Sequence, residues 1–206
     1  MPRGKDFKRR VRARMSRTGE RYTEALQNLR TISGGAQEGV PGWHLAMEKP
    51  GAYVAGVEPI GDGRVRAAYL RSVADPGEGF ATLMQTVRAE TYRGRRLRFA
   101  ATVRGESIET WAGLWMRIDG PNYEELGFDN MQDRPLSGSF DWATFEVVLD
   151  VPPEAHAIAF GVALAQLGTI WLRDVRLEVV GSDVPPTRSR PPIAPHPQNL
   201  DFSELG

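Results

Sequence analysis

Between Trp43 and Val180 the apolar residues recur at every second position in short runs, the period of a strand with one buried face. In RRLRFAATVRG, Leu97, Phe99, Ala101 and Val103 alternate with Arg96, Arg98, Ala100 and Thr102. His156, Ile158, Phe160, Val162 and Leu164 alternate in the same way with Ala157, Ala159, Gly161 and Ala163. Such runs, divided by Gly, Pro, Asp or Asn, predict strands near 43–48, 52–58, 64–72, 80–88, 95–104, 111–118, 143–150, 156–164 and 169–180. No helix-length segment separates them, which excludes alternating βαβ units and favours a mainly β, antiparallel two-sheet sandwich over 43–180. Faces built of small residues, Ala100 and Thr102 with Ala159 and Gly161, predict a shallow groove on that sandwich.

The period changes on either side. In residues 1–30, Phe7, Val11 and Met15 form one helical stripe, Gly19 offers a stop, and Tyr22, Ala25, Leu26 and Leu29 form a second stripe, predicting a short helical hairpin. Residues 31–42 have the Gly-rich composition of a linker. Residues 181–206 form a proline-rich tail, too poor in amide donors for a sheet interior, whose closing NLDFSELG is expected to return as an edge strand at 199–204 in its own subunit or a neighbour's. A monomer and a homodimer both fit that expectation.

The formal net charge is zero, but residues 1–30 hold ten Lys or Arg against three acids, and the remainder holds 16 against 23. A basic head on an acidic body points to a polyanion or to docking on the body itself. Lys8, Arg9, Arg10, Arg12, Arg14 and Arg17 could follow a nucleic-acid backbone by phosphate neutralisation, although no base-reading motif accompanies them. The alternative is a solvated or docked helix face. With no cysteine there are no disulfides or thiolate metal sites, and with no apolar run of membrane-spanning length a cytoplasmic protein without membrane partners is expected.

Candidate binding residues follow from the alternation in WAGLWMRIDG. It puts Trp111, Gly113, Trp115 and Arg117 on one face and the better core set, Ala112, Leu114, Met116 and Ile118, on the other. An aromatic plane with a directed guanidinium suits a ring-shaped ligand; satellite core under a loop is the competing reading for both tryptophans. Residues 128–135, FDNMQDRP, read as a connection between strands in which Asp129 and Asn130 either bind ligand or make turn hydrogen bonds. Gln85 has no clear face and would be a ligand contact or an amide tying strands together. The three histidines stand apart, so no metal site is expected, and no nucleophile motif, phosphate loop or cofactor signature occurs. Acidic pairs such as Asp129 with Asp133 leave glycoside hydrolysis open as a minor alternative.

The series PGWHLA, GVEPIGDGRVRAAYLRS, FATLMQTVRAETYRGRRLRFAATVRG, WAGLWMRIDG, FDNMQDRPLSGSFDW, FEVVLDVPPEAHAIAFGVALA and GTIWLRDVRLEVV, in this order over residues 41–180, resembles a family of bacterial jelly-roll domains. These are of the galactose-binding or carbohydrate-binding-module type, and some are associated with transcriptional regulators. The resemblance implies a jelly-roll sandwich and, for function, a non-catalytic domain that recognises a small or carbohydrate-like ligand. Nucleic-acid binding through the head is the alternative, with the sandwich as a sensing or dimerising body.

Overall fold

In the computed structural model, residues 39–187 are described; the helical hairpin at 1–30 and the edge strand at 199–204 lie outside them. The described residues form nine strands: β1 (His44–Met47), β2 (Tyr53–Ile60), β3 (Val65–Ser72), β4 (Phe80–Arg88), β5 (Arg96–Asp119), β6 (Glu125–Asp129), β7 (Leu136–Asp150), β8 (Ala157–Ala165) and β9 (Thr169–Val180). Every pairing is antiparallel, and the sheet curls on itself in the order β1-β4-β8-β5-β9-β3-β2, with β6 and β7 also on β5. This is the jelly-roll sandwich that alternation and resemblance predict.

Two layers arise because β5 belongs to both. Its C-terminal part, Trp111–Asp119, pairs with β8, while Arg96–Glu106 pairs with β9. The strand crosses between layers at Gly105–Ile108, where its register against β7 slips and Ser107 takes a positive φ of 52°, the signature of a bulge that bends a strand. A Cβ on Gly105 would lie 2.3 Å from a ring carbon of Phe140, so only glycine lets that ring pack across the bend. Two strands predicted separately, 95–104 and 111–118, are therefore one strand of 24 residues. The polar GESIE stretch between them reads as a turn but is held as strand by β7 and β9.

The core lies between the layers. Leu97, Phe99, Ala101 and Val103 from one half of β5 meet Leu114, Met116 and Ile118 from the other half, with Leu83, Ile158, Val162, Leu164 and Ile170, each 2% exposed or less. Each large side chain buried to this degree contributes about 1.5–3 kcal/mol, and Phe160 bridges the core to the entry loop by an edge contact with Trp43 at 6.0 Å.

The crossing corrects the predicted groove. Ala100 and Thr102 do face outward, but from the second layer, beside Arg176 and Arg173 of β9. Ala159 and Gly161 face outward from the first layer, beside Arg117 and Trp115. A strand that changes layers presents its outward sides in opposite directions, so the two small-residue patches lie on opposite surfaces.

Candidate functional site

The outward face of the first layer is built row by row. Met84 of β4, Gly161 of β8 and Trp115 of β5 are cross-strand partners, and the next row is Thr86, Ala159, Arg117 and Phe128. Small residues along β8 make a trough between β4 and β5. Gly161 is required there, since a Cβ would meet the Leu83 carbonyl oxygen at 2.3 Å. Trp115 lies across this trough, its indole N–H donating to Thr82 Oγ1 on β4 at 2.8 Å, while Thr82 donates to the Val162 carbonyl at 3.0 Å. Met84, Trp115, Ala159 and Ala163, with Trp111 and Phe128 against them, form a second apolar cluster separate from the main core.

Polar groups border this cluster. Arg117 and Asp119, two positions apart on β5, form a buried ion pair: Nη2 donates to Oδ2 at 2.8 Å, and Nε stands 2.8 Å from Oδ1, off the hydrogen-bond direction. Burial pushes the Asp119 carboxyl above the usual carboxylate range, Arg117 offsetting this only in part and Glu125 and Glu124 adding to it. Trp111 Nε1 and both amide atoms of Asn130 are buried with no hydrogen-bond partner among the described residues. They belong to the same corner: the point where a Gly113 Cβ would stand is 3.3 Å from the Trp111 ring and 3.0 Å from the Asn130 carbonyl oxygen. Although their strand side faces outward, Trp115 is 8% exposed and Arg117 6%.

The structure thus brings Trp111, Trp115, Arg117 and Asn130 together and leaves two predicted candidates elsewhere. Gln85 shares the inward side of β4 with Leu83, opposite Phe160, and is half-buried near the entry loop. Asp129 is the last residue of a strand, β6, not part of a loop, and its pairing with Met116 turns it inward. There it is fully buried and accepts four hydrogen bonds: the Met131 N–H at 2.9 Å, Arg134 Nη1 at 3.2 Å, Arg134 Nη2 at 2.6 Å and the Thr187 hydroxyl at 2.7 Å. Burial pushes this carboxyl up, but Arg134, Thr187 and the Met131 N–H outweigh it and hold the carboxyl below the ordinary range. Asp133 shares the same arginine at 2.9 Å, so the Asp129–Asp133 pair is a clamp around Arg134, with one member closed to substrate. Sequence reading missed Asp119, Phe128 and Thr82. Extending the alternation two residues past Arg117 identifies the first, whereas the other two need the strand pairing.

The second layer's outward face also carries aromatic groups, already engaged. Arg104 stacks over Trp171 at 4.9 Å, Arg71 over Tyr69 at 4.8 Å and Arg173 over Trp142 at 4.6 Å. Trp171 Nε1 donates to Glu58, and Arg98 is bound to Glu178 and Glu146.

No protein-family model matches the chain. The chain is similar to the uncharacterized HTH-type transcriptional regulator YbfP of Bacillus subtilis (strain 168), 38% identical over 169 residues, which is 79% of this chain and 57% of that protein. It therefore spans little more than half of that relative. Among solved structures, the enzymatically active domain of the bacteriophage CBA120 tailspike protein 4 superposes with a TM-score of 0.55 at 12% identity, covering 69% of this chain and 20% of the other. The tandem CBM22-1–CBM22-2 domain of Paenibacillus barcinonensis Xyn10C superposes with a TM-score of 0.50 at 8% identity, covering 71% and 43%. These likenesses are of fold: the described residues share the antiparallel jelly-roll β-sandwich of those domains. Among the described residues no helix is long and apolar enough to cross a membrane.

Proposed function

We propose that this is a non-catalytic binding protein whose first-layer outward face takes a small or carbohydrate-like ligand. One observation carries the reading: Trp111, Trp115 and Phe128 gather outside the main core, over a trough of Ala159, Gly161 and Ala163, with Asn130 and the Arg117–Asp119 pair at its border. Apolar sugar faces stack on such rings, while hydroxyls need both donors and acceptors, which the Asn130 amide offers and the Trp111 N–H supplements. The fold likeness to carbohydrate-binding modules supports this reading. Titration with a panel of soluble xylo-, gluco-, manno- and galacto-oligosaccharides should reveal a ligand by thermal shift. Trp111→Ala, at a half-buried position the core does not need, should weaken its binding at least tenfold, about 1.4 kcal/mol. Unchanged affinity in both Trp111→Ala and Asn130→Ala would remove this face from consideration.

A second reading, regulation of transcription through the basic head, is supported by the likeness to a protein named as an HTH-type regulator. The sandwich would then act as the sensing body. Binding to duplex DNA that weakens steeply with salt, and is lost when Arg9, Arg10, Arg12 and Arg14 become Gln, is the expected result. Failure to bind at low salt would dispose of it.

A further inference from the structure

The outward face of the first layer ends beside the point where the described chain ends. Thr187 accepts the Val148 N–H and donates its hydroxyl to Asp129, the residue immediately before Asn130. The chain therefore leaves the sandwich at the border of the Trp111–Asn130 corner. The eleven residues that follow, RSRPPIAPHPQ at 188–198, lie outside the described residues, but their chemistry is plain from the sequence: four prolines, Pro191, Pro192, Pro195 and Pro197, with Ile193 as the one large apolar side chain among small or polar residues.

We propose that this face is the docking site of the chain's own proline-rich segment 188–198. Proline favours an extended polyproline II conformation, lacks an N–H, and leaves backbone carbonyls as acceptors with no partner inside the segment. Aromatic-lined grooves recognise such segments, the rings packing on prolines and indole or amide N–H groups capping the carbonyls. The face holds the complement: Trp111, Trp115 and Phe128 as rings, and the Trp111 N–H and the Asn130 amide as buried groups with no partner among the described residues.

Length agrees. At about 3.1 Å per residue, residues 188–198 reach roughly 34 Å. From β6 to β1 the first layer is four strand spacings wide, roughly 19 Å at about 4.8 Å each. A segment starting at Thr187 can cross the whole face and deliver residues 199–204 to β1, whose described pairing is with β4 alone.

The chain has no cysteine, so Ile193→Cys in the full-length protein gives one attachment point for a nitroxide. The readout is the broadening of the five indole N–H resonances in the absence of any sugar, assigned by single Trp→Phe variants. Docking predicts that Trp111 and Trp115 broaden, that Trp142 and Trp171 on the opposite face do not, and that the effect is unchanged on dilution. Replacing Pro191, Pro192, Pro195 and Pro197 by Ser should abolish it. Equal broadening of all five, or none, overturns the proposal. Broadening that vanishes on dilution, or that passes from labelled to unlabelled molecules in a mixture, overturns docking within one chain. Because no sugar is present, failure here leaves the carbohydrate reading intact, and failure of the oligosaccharide titration leaves this one intact.

Discussion

Arg117→Ala should lower the stability of the folded protein by about 3–5 kcal/mol, the range for removing one partner of a buried ion pair. The cost comes from what is left behind. Asp119 is 2% exposed, and its carboxyl already sits above the ordinary range because burial outweighs the help Arg117 gives it. Without the guanidinium, the carboxylate must be held unpaired or protonated. Replacing both members, Arg117→Met with Asp119→Leu, should recover most of the loss, since the pair's desolvation cost disappears along with its attraction. Urea unfolding of the three proteins decides the matter; a loss under about 1 kcal/mol in Arg117→Ala would show a solvated pair of the ordinary surface kind.

Asp129→Ala should cost roughly 2–4 kcal/mol, less than the sum of four charge-assisted hydrogen bonds because Arg134 is partly exposed and keeps some solvation. It should also change how the protein responds to acid. The folded Asp129 carboxyl lies below its unfolded value of about 3.9, so its contribution is fully present above that value and is lost as pH falls through the folded one. Asp119 works in the opposite sense: its folded carboxyl binds a proton more readily than the unfolded one, so its penalty is present at neutral pH and fades as pH falls. Acid unfolding should therefore be driven by Asp129 and opposed by Asp119. Stability measured from neutral pH down to about 3 should fall less steeply in Asp129→Asn than in the unaltered protein, and more steeply in Asp119→Asn.

Much of the architecture is legible in the residues. Leu97, Phe99, Ala101 and Val103 alternate cleanly because one side of their strand meets the core, and β8 is readable for the same reason. What escapes is whatever pairing decides. GESIE carries no apolar period and reads as a turn, yet it continues β5 because β7 and β9 supply its hydrogen bonds. β6 escapes too: in ELGFD, Asp129 points inward to serve Arg134 and Thr187, and a buried carboxylate mimics the polarity of a loop. The alternation puts Trp111, Trp115 and Arg117 on one side of their strand, as the pairing of β5 with β8 also does. It cannot show that Trp115 spans β8 to reach Thr82, because that contact crosses two strand pairings.

The single strand β5 has a further consequence. A layered protein can in principle lose one sheet while keeping the other, but here the same 24 residues supply an interior strand to both. Pulling Trp111–Asp119 away from β8 strains the bend at Ser107 and loosens Arg96–Glu106 against β9. The two sheets therefore make one folding unit, in which the amides along both halves of β5 open to solvent together and the face around Trp115 cannot melt by itself.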